Sequence, residues 1–141
     1  MSRDDDFEAL VSSVINYGFH LHREIGPGLL ESVYEIMLTE SIREAGFLVE
    51  RQVAVPIKYK GVTLENAFKA DLLVERKLLV ELKSTERNAP VYGKQVLTYL
   101  RLMDLPVGIL MNFGLATYKE GLQRIVNRYT DPPDRPNSFA S

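Results

Sequence analysis

The amino-acid sequence predicts an α/β domain in which helices flank a mixed central β-sheet. Apolar residues recur at helical spacing near the N-terminus, whereas from Phe47 onward they alternate with polar residues or form short continuous runs. The predicted order is helix, helix, three strands, helix, strand. The three strands should form an antiparallel meander. The strand at residues 107–111 follows a helix, so it should lie parallel to the strand before that helix.

Two helices are predicted before the first strand. The first is capped by Asp4, Asp5 or Asp6, and its apolar stripe contains His22. A histidine on such a stripe is more often a hydrogen-bonded core residue than a ligand. The second helix is predicted at residues 29–45 and ends at Gly46. We expect its apolar face to be Leu30, Val33, Met37 and, less regularly, Ile36, and we expect Glu31 and Glu35, one turn apart, to share a side.

The strands are predicted from residue 47 onward, and turn residues separate them. Pro56 indicates that the first strand is an edge strand or is bulged there, and Lys60-Gly61 reads as a hairpin turn into the next strand. The charged residues 75–77 join two apolar runs, which predicts a second hairpin. A helix follows at residues 91–103, then the strand at 107–111. The pattern at residues 122–126 does not decide between strand and short helix.

Length, charge and composition narrow the class of protein. The 141 residues are 45% hydrophobic, so we assign residues 1–129 to one domain and the polar, proline-rich residues 130–141 to a flexible tail. A net charge of −2 counts against a protein that coats nucleic acid without specificity. The lack of cysteine excludes disulfides, thiolate zinc sites and cysteine nucleophiles. The acidic N-terminus and the absence of a long apolar run lead us to expect a cytoplasmic protein without a membrane partner.

Three ionisable residues lie within the two apolar runs of the second hairpin: Asp71, Glu81 and Lys83. A hairpin folded about Arg76 sets Asp71 beside Glu81, and strand alternation puts Glu81 and Lys83 on one face of the sheet. Two carboxylates close together in a half-buried place are costly unless something compensates them. Mg²⁺ or Mn²⁺ would do so, and the lysine would then orient or deprotonate a water. A salt-bridge ladder from Asp71 to Lys83 explains the spacing equally well.

The motif residues resemble those of a known family. Asp71 followed by Glu81-Leu82-Lys83 looks like the Asp…(Asp/Glu)-Xaa-Lys signature of the PD-(D/E)XK nuclease superfamily, although Ala70 stands where the name-giving proline would be. Gln95 and Tyr99 resemble the Gln-Xaa-Xaa-Xaa-Tyr motif of its RecB-like exonuclease branch. The segment GPGLLESVYE, together with His22, is similar to the GxxExxY proteins, whose motif falls on Gly28, Glu31 and Tyr34. The resemblance runs from about Phe7 to Val126.

The resemblance implies a restriction-endonuclease-like fold and a Mg²⁺- or Mn²⁺-dependent, exonuclease-like nuclease, for which DNA is the expected substrate rather than RNA. Asp71, Glu81 and the Leu82 carbonyl would hold the metal, His22 and Glu31 would be further metal contacts, and Lys83 would activate the water. Gln95 and Tyr99 would position the strand, with Arg87 and Lys94 receiving its phosphates. A 141-residue nuclease would commonly need a homodimer to enclose its substrate.

Simpler interpretations stay open for several of these residues. Gln95 and Tyr99 can be a polar pair that stabilises a solvated helix face, and Tyr34 fits packing better than chemistry. A second functional class is a nuclease-like fold that acts as a non-catalytic protein- or nucleic-acid-binding module. The acidic net charge favours that alternative, whereas the intact Asp, Glu and Lys set disfavours it.

Overall fold

The computed structural model describes residues 3–128, so the predicted tail at residues 130–141 lies outside the described part of the chain. The elements are, in order, α1 Arg3–Ile25, α2 Glu31–Glu44, β1 Val49–Tyr59, β2 Val62–Val74, β3 Leu78–Lys83, α3 Pro90–Met103, β4 Val107–Asn112, α4 Tyr118–Gly121 and β5 Leu122–Val126. The undecided segment at residues 122–126 is therefore a strand, and a single helical turn precedes it.

The five strands form one mixed sheet in the order β1-β2-β3-β4-β5. The first three pair antiparallel, β3 and β4 pair parallel around α3, and β5 returns antiparallel to β4. The predicted meander and the parallel strand after the helix are both confirmed. The mixed sheet with helices on its faces is the restriction-endonuclease-like α/β arrangement that the motifs implied.

Both predicted hairpin turns are present, and each has two consecutive residues in the left-handed region. Lys60 and Gly61 have φ of 48° and 80°, and Glu75 and Arg76 have φ of 52° and 54°. In the two-residue Lys60-Gly61 loop, positive φ at both residues matches the twist of the flanking strands. The loop at residues 75–77 has three residues, and the Lys77 N–H donates to the Val74 carbonyl across it. Pro56 lies on the edge strand at the point where the β1–β2 register shifts, so the sequence prediction for that proline is confirmed as well.

The sheet separates two apolar clusters, one on each face. Helices α1 and α2 cover one face, where they meet the even-numbered residues of β3, namely Leu78, Val80 and Leu82. Helix α3 covers the other face, where Val96 and Leu100 contact Leu79 of β3. Because side chains alternate along a strand, the odd-numbered Glu81 and Lys83 belong to the α3 face. No helix among residues 3–128 is both long enough and apolar enough to cross a membrane.

The predicted apolar face of α2 is wrong in part: Met37 packs against the core and Val33 is half-buried, but the other two residues face solvent. Leu30 and Ile36 are 74% and 50% exposed, and the buried residues are Tyr34, Glu35, Leu38, Thr39 and Ile42. Two stripes at helical spacing compete on this helix, and the buried one contains a carboxylate and a hydroxyl. Both polar groups have partners, because Thr39 Oγ1 donates to the Glu35 carbonyl and the Glu35 carboxylate accepts from β1. Burying a polar group costs little stability when the group keeps a hydrogen-bond partner. A prediction from hydrophobic periodicity alone does not take such partners into account.

Candidate metal and catalytic site

The site lies where β2 separates from β3. The last ladder pair is Leu72 with Val80. Beyond it, side-chain oxygens take over the hydrogen bonds: the Asp71 backbone N–H donates to Glu81 Oε1 at 3.3 Å, and the Leu82 N–H donates to Asp71 Oδ2 at 2.8 Å. These bonds, together with a hydrogen bond between the two carboxyl groups, bring Asp71 and Glu81 together, as their spacing predicted.

The two carboxyl groups are strongly coupled. Glu81 is only 7% exposed. Burial raises the pKa of the Glu81 carboxyl to about 9, and the hydrogen bond to Asp71 and its negative charge add to the rise. Near neutral pH the Glu81 carboxyl therefore keeps its proton when no cation neutralises it. A bound divalent cation would replace that proton, as metal binding to carboxylates generally does.

The oxygen donors at this site fit a small divalent cation. Within a strand, the N–H and C=O of one residue point to the same side. The Leu82 carbonyl therefore faces the gap that Asp71 occupies, whereas the Lys83 carbonyl accepts from Phe113 on the β4 side. Two carboxylates and one carbonyl are hard oxygen donors of the kind that Mg²⁺ and Mn²⁺ prefer. Within residues 3–128 no group of three or more Asp, Glu and His side chains converges as a cation site, and the Leu82 carbonyl as a third ligand stays a prediction.

Lys83 lies on the same face without closing an ion pair. Its Nζ sits 4.9 Å from the centre of the Tyr92 ring, a cation–π contact with α3. In the described part of the chain the ion pairs within 4.0 Å involve other residues: Arg43–Glu40, Arg51–Glu35, Arg76–Glu50 and Arg124–Glu8. The salt-bridge ladder that the sequence left open is therefore not formed by close contacts, and the ammonium stays available to a ligand.

Glu31 approaches the carboxylate pair from the first turn of α2. Although its side chain is exposed, partial burial raises its pKa, the negative charge of Asp71 adds to the rise, and the Lys83 ammonium opposes it. Asp71 and Lys83 therefore lie close enough for their charges to act on the Glu31 carboxyl. Its assignment as a further metal contact stays a prediction.

Tyr34 holds the loop that delivers Glu31. Its hydroxyl donates to the Gly26 carbonyl at 2.6 Å and accepts from the Leu29 N–H at 3.2 Å, while its ring stacks on Phe113 at 4.6 Å. Gly28, with φ of 108°, supplies the backbone turn before the helix. The three motif residues thus have separate tasks: the glycine turns the chain, the tyrosine clamps the loop, and the glutamate lies close enough to Asp71 for their charges to interact. The interpretation of Tyr34 as a packing residue agrees with its complete burial.

Tyr99 of α3 lies close enough to the same carboxylates for their charges to act on its hydroxyl, and Gln95, one turn earlier, is exposed and interacts with Tyr99. The two side chains are hydrogen-bonded, and the Tyr99 ring stacks on Phe68 of β2 at 3.8 Å. Burial raises the pKa of the Tyr99 hydroxyl, and the negative charges of Glu81 and Asp71 add to the rise. Arg87 and Lys94 are exposed, on the loop before α3 and in its first turns. Their roles in binding phosphates stay predictions.

His22 belongs to the core cluster on the opposite face. Its ring packs against Phe113 and Tyr118, and Nε2 lies 3.0 Å from the Leu115 carbonyl. Because a carbonyl oxygen only accepts, Nε2 carries the proton and donates, so this nitrogen is not a ligand atom in the arrangement seen. These contacts match the core interpretation of His22, and its assignment to the metal stays a prediction.

Sequence reasoning missed Asn112, the last residue of β4. The side chain is 1% exposed, and its Oδ1 accepts from the N–H groups of Thr85 and Gly114. Its Nδ2 donates to Thr85 Oγ1 and Asn88 Oδ1. Asn112 therefore shapes the loop that follows Lys83 and carries Arg87. The one sequence feature that could have pointed to Asn112 is its position as a single amide residue at the end of an otherwise apolar strand.

Sequence reasoning also missed Gln52 of β1, which contacts the site and links it to Glu35 of α2. Glu35 Oε1 accepts from Gln52 Nε2 at 2.6 Å, and the same amide reaches Asp71. No signal in the sequence marked Gln52, which reads as an ordinary polar residue on an edge strand.

A cavity adjoins the site on its open side. It has a volume of about 580 Å³ and is lined by the loop before α2 and the loop after β3, including Gly28, Leu29, Leu30, Ser84 and Thr85. Ser84 Oγ donates to the Leu29 carbonyl and so fastens the two loops together. Glu31 follows one wall of the cavity in sequence and Lys83 precedes the other, so both candidate site residues adjoin its lining segments.

Comparison with known proteins agrees with this geometry. A family model described as the PD-(D/E)XK nuclease superfamily matches residues 8–125. No curated protein and no solved structure matched the chain. The likenesses to GxxExxY proteins and to the RecB-like branch fit the motif residues. Because the match covers most of the sequence and includes Asp71, Glu81 and Lys83, the chain belongs to the PD-(D/E)XK nuclease superfamily.

Proposed function

We propose that this protein is a Mg²⁺- or Mn²⁺-dependent nuclease that hydrolyses phosphodiester bonds in DNA and acts from strand ends. The observation that carries the proposal is the pair of hydrogen-bonded carboxyl groups, Asp71 and Glu81, beside a lysine with no close ion pair among the described residues. If these residues had only a structural role, we would expect Lys83 to form a close ion pair with Asp71 or Glu81.

Each residue has a distinct task in this proposal. Asp71, Glu81 and the Leu82 carbonyl hold the cation, with Glu31 and His22 as further candidates. When bound, the cation polarises the phosphate and lowers the pKa of an attacking water. Lys83 orients that water or stabilises the charge that grows on the phosphate, which is worth about 10² or more in rate. Gln95 and Tyr99 position the strand, and Arg87 and Lys94 bind its phosphates.

The first experiment separates cation binding from chemistry. Linear and circular DNA are incubated with Mn²⁺ and then with a chelator, and Mn²⁺ affinity is measured by calorimetry. Asp71→Ala and Glu81→Ala should lose both cation binding and cleavage. Lys83→Ala removes a positive charge beside the cation, so Mn²⁺ binding should persist or tighten while cleavage falls by about 10² or more. Lys77→Ala, at an exposed lysine of the β2–β3 turn, is the matched control and should behave as wild type.

The same assay decides the finer points of the proposal. Consumption of linear but not circular DNA supports an exonuclease, and an RNA strand of the same sequence tests the choice of DNA. DNA binding without any Mn²⁺-dependent cleavage would favour the non-catalytic binding module instead. We also expect a homodimer to enclose the strand, which size-exclusion chromatography with light scattering checks.

A further inference from the structure

Gln52 links the candidate metal site to a buried carboxylate on another helix. Its side-chain Nε2 donates to Glu35 Oε1 at 2.6 Å and to Asp71 Oδ1 at 3.3 Å. Both acceptors are carboxylate oxygens, so only the NH₂ end of the amide can satisfy the two contacts. The orientation of the amide is thereby fixed by its partners.

The backbone of β1 explains how Gln52 reaches both groups. Gln52 has φ of 52°, in the left-handed region, so the usual alternation of side chains is broken at this residue. As a result both Arg51 and Gln52 reach Glu35. Arg51 donates to Glu35 Oε2 through Nε and Nη2, at 3.1 and 3.0 Å.

Glu35 is a firm anchor for this contact. It is 5% exposed on α2, and each of its carboxylate oxygens accepts from a different residue of β1. A buried carboxylate held from both sides has little freedom to move. The Gln52 side-chain amide, which is hydrogen-bonded to Glu35, is therefore restrained as well.

Asp71 receives one donor on each of its oxygens. Gln52 binds Oδ1 and the Leu82 N–H binds Oδ2 at 2.8 Å. Together these bonds fix the plane of the carboxylate and leave further acceptor positions on both oxygens for a cation. Without Gln52, only the Leu82 bond and the contact with the Glu81 carboxyl would restrain that plane.

We propose that Gln52, anchored by Glu35, is a positioning residue that orients the Asp71 carboxylate for the divalent cation. The inference rests on the proposed function for its cation and adds a residue outside the motif set. Residues that orient a metal ligand typically contribute about 10- to 100-fold to metal affinity. Arg51 contacts the same Glu35 but, in the contacts described above, not Asp71, so it provides a matched comparison.

The test uses two substitutions of similar size, Gln52→Met and Arg51→Met. Each removes the hydrogen bonds of its residue to Glu35, and only the first also removes the bond to Asp71. Gln52→Met should weaken Mn²⁺ binding, measured by calorimetry, by about 10-fold or more. Arg51→Met should lower the melting temperature while Mn²⁺ affinity stays within about 2-fold of wild type. Equal Mn²⁺ affinities in the two variants would overturn the inference.

A measurement without metal keeps this test separate from the proposed function. The Leu82 amide is hydrogen-bonded to Asp71, so its hydrogen-exchange rate, followed by NMR, reports how firmly that carboxylate is held. Exchange at Leu82 should accelerate in Gln52→Met and not in Arg51→Met. An unchanged rate in Gln52→Met overturns the inference, whatever the metal does. A wild-type protein that fails to bind Mn²⁺ overturns the proposed function instead, and the exchange rates still decide the role of Gln52.

A third variant keeps the test possible if Gln52→Met does not fold. Asparagine tolerates the left-handed region well, so Gln52→Asn should fold, yet its amide is one methylene too short to bridge Glu35 and Asp71. It should reproduce the weaker Mn²⁺ binding and the faster Leu82 exchange. Wild-type values for both in Gln52→Asn would overturn the inference.

Discussion

Glu81 makes the stability of the metal-free protein depend on pH. Its folded-state pKa is raised from 4.5 to about 9, first by burial and then by Asp71. Between these values the folded state keeps a proton that the unfolded chain has released, so the free energy of unfolding falls as pH rises. The metal-free wild type should therefore melt at a lower temperature at pH 8.5 than at pH 5.5, and Glu81→Gln should flatten this difference.

A surface substitution controls for general effects of charge. Glu40 is exposed on α2, and Glu40→Gln should keep the wild-type dependence on pH. If Glu40→Gln flattens the dependence as much as Glu81→Gln does, the buried carboxyl pair is not its origin. The same proton must leave before a cation binds, so Mn²⁺ affinity should rise over the same pH interval.

At the scale of elements, Asn112 ties the end of β4 to the loop after β3. Asn112→Leu keeps the volume but leaves the N–H groups of Thr85 and Gly114 without their acceptor. Two unsatisfied buried donors should cost roughly 2–4 kcal/mol, measured by urea denaturation. The loop at residues 84–89 should also exchange its amides faster, and KM should rise because this loop carries Arg87.

The control for that prediction is Asn127, whose Nδ2 donates to the Leu105 carbonyl away from the loop. Asn127→Leu should cost about 1 kcal/mol and leave exchange at residues 84–89 unchanged. Similar loop exchange in both variants would mean that Asn112 contributes only to general stability.

The elements show where sequence reasoning works and where it stops. Local patterns fixed the charged hairpin and the Lys60-Gly61 turn, because positive φ and strand alternation act over a few residues. The buried face of α2 was not predictable, since burial of Glu35 depends on donors from β1 that are distant in sequence. Gln52 was hidden for the same reason: its importance comes from a backbone irregularity and from two partners on other elements.

At the scale of the whole molecule, a buried ion pair joins the first helix to the last strand. Arg124 Nη1 and Nη2 donate to the two carboxylate oxygens of Glu8 at 3.2 and 2.7 Å, across 116 positions of sequence. Glu8→Gln or Arg124→Met should each cost about 3–5 kcal/mol, because the remaining buried charge loses this ion pair. The double variant Glu8→Met with Arg124→Met should cost less than the sum of the two single changes.

An exposed pair provides the comparison for this double-mutant cycle. Arg43 and Glu40 lie 3.6 Å apart on the surface of α2, with side chains 55% and 67% exposed. Their coupling energy in urea denaturation should be below about 1 kcal/mol. Equal coupling in the two cycles would show that the Glu8–Arg124 pair does not hold the two ends of the domain together.

The charged β2–β3 hairpin also bears on the order in which the chain folds. Asp71 and Glu81 are ten positions apart, joined by a tight turn, and such hairpins close in about 1–10 μs. The parallel pairing of β3 with β4 spans the whole of α3 and has to close a much longer loop, which is slower. We therefore expect the two carboxyl groups to meet while both are still hydrated. Burial of Glu81, which raises its pKa, should follow when α3 packs against the sheet.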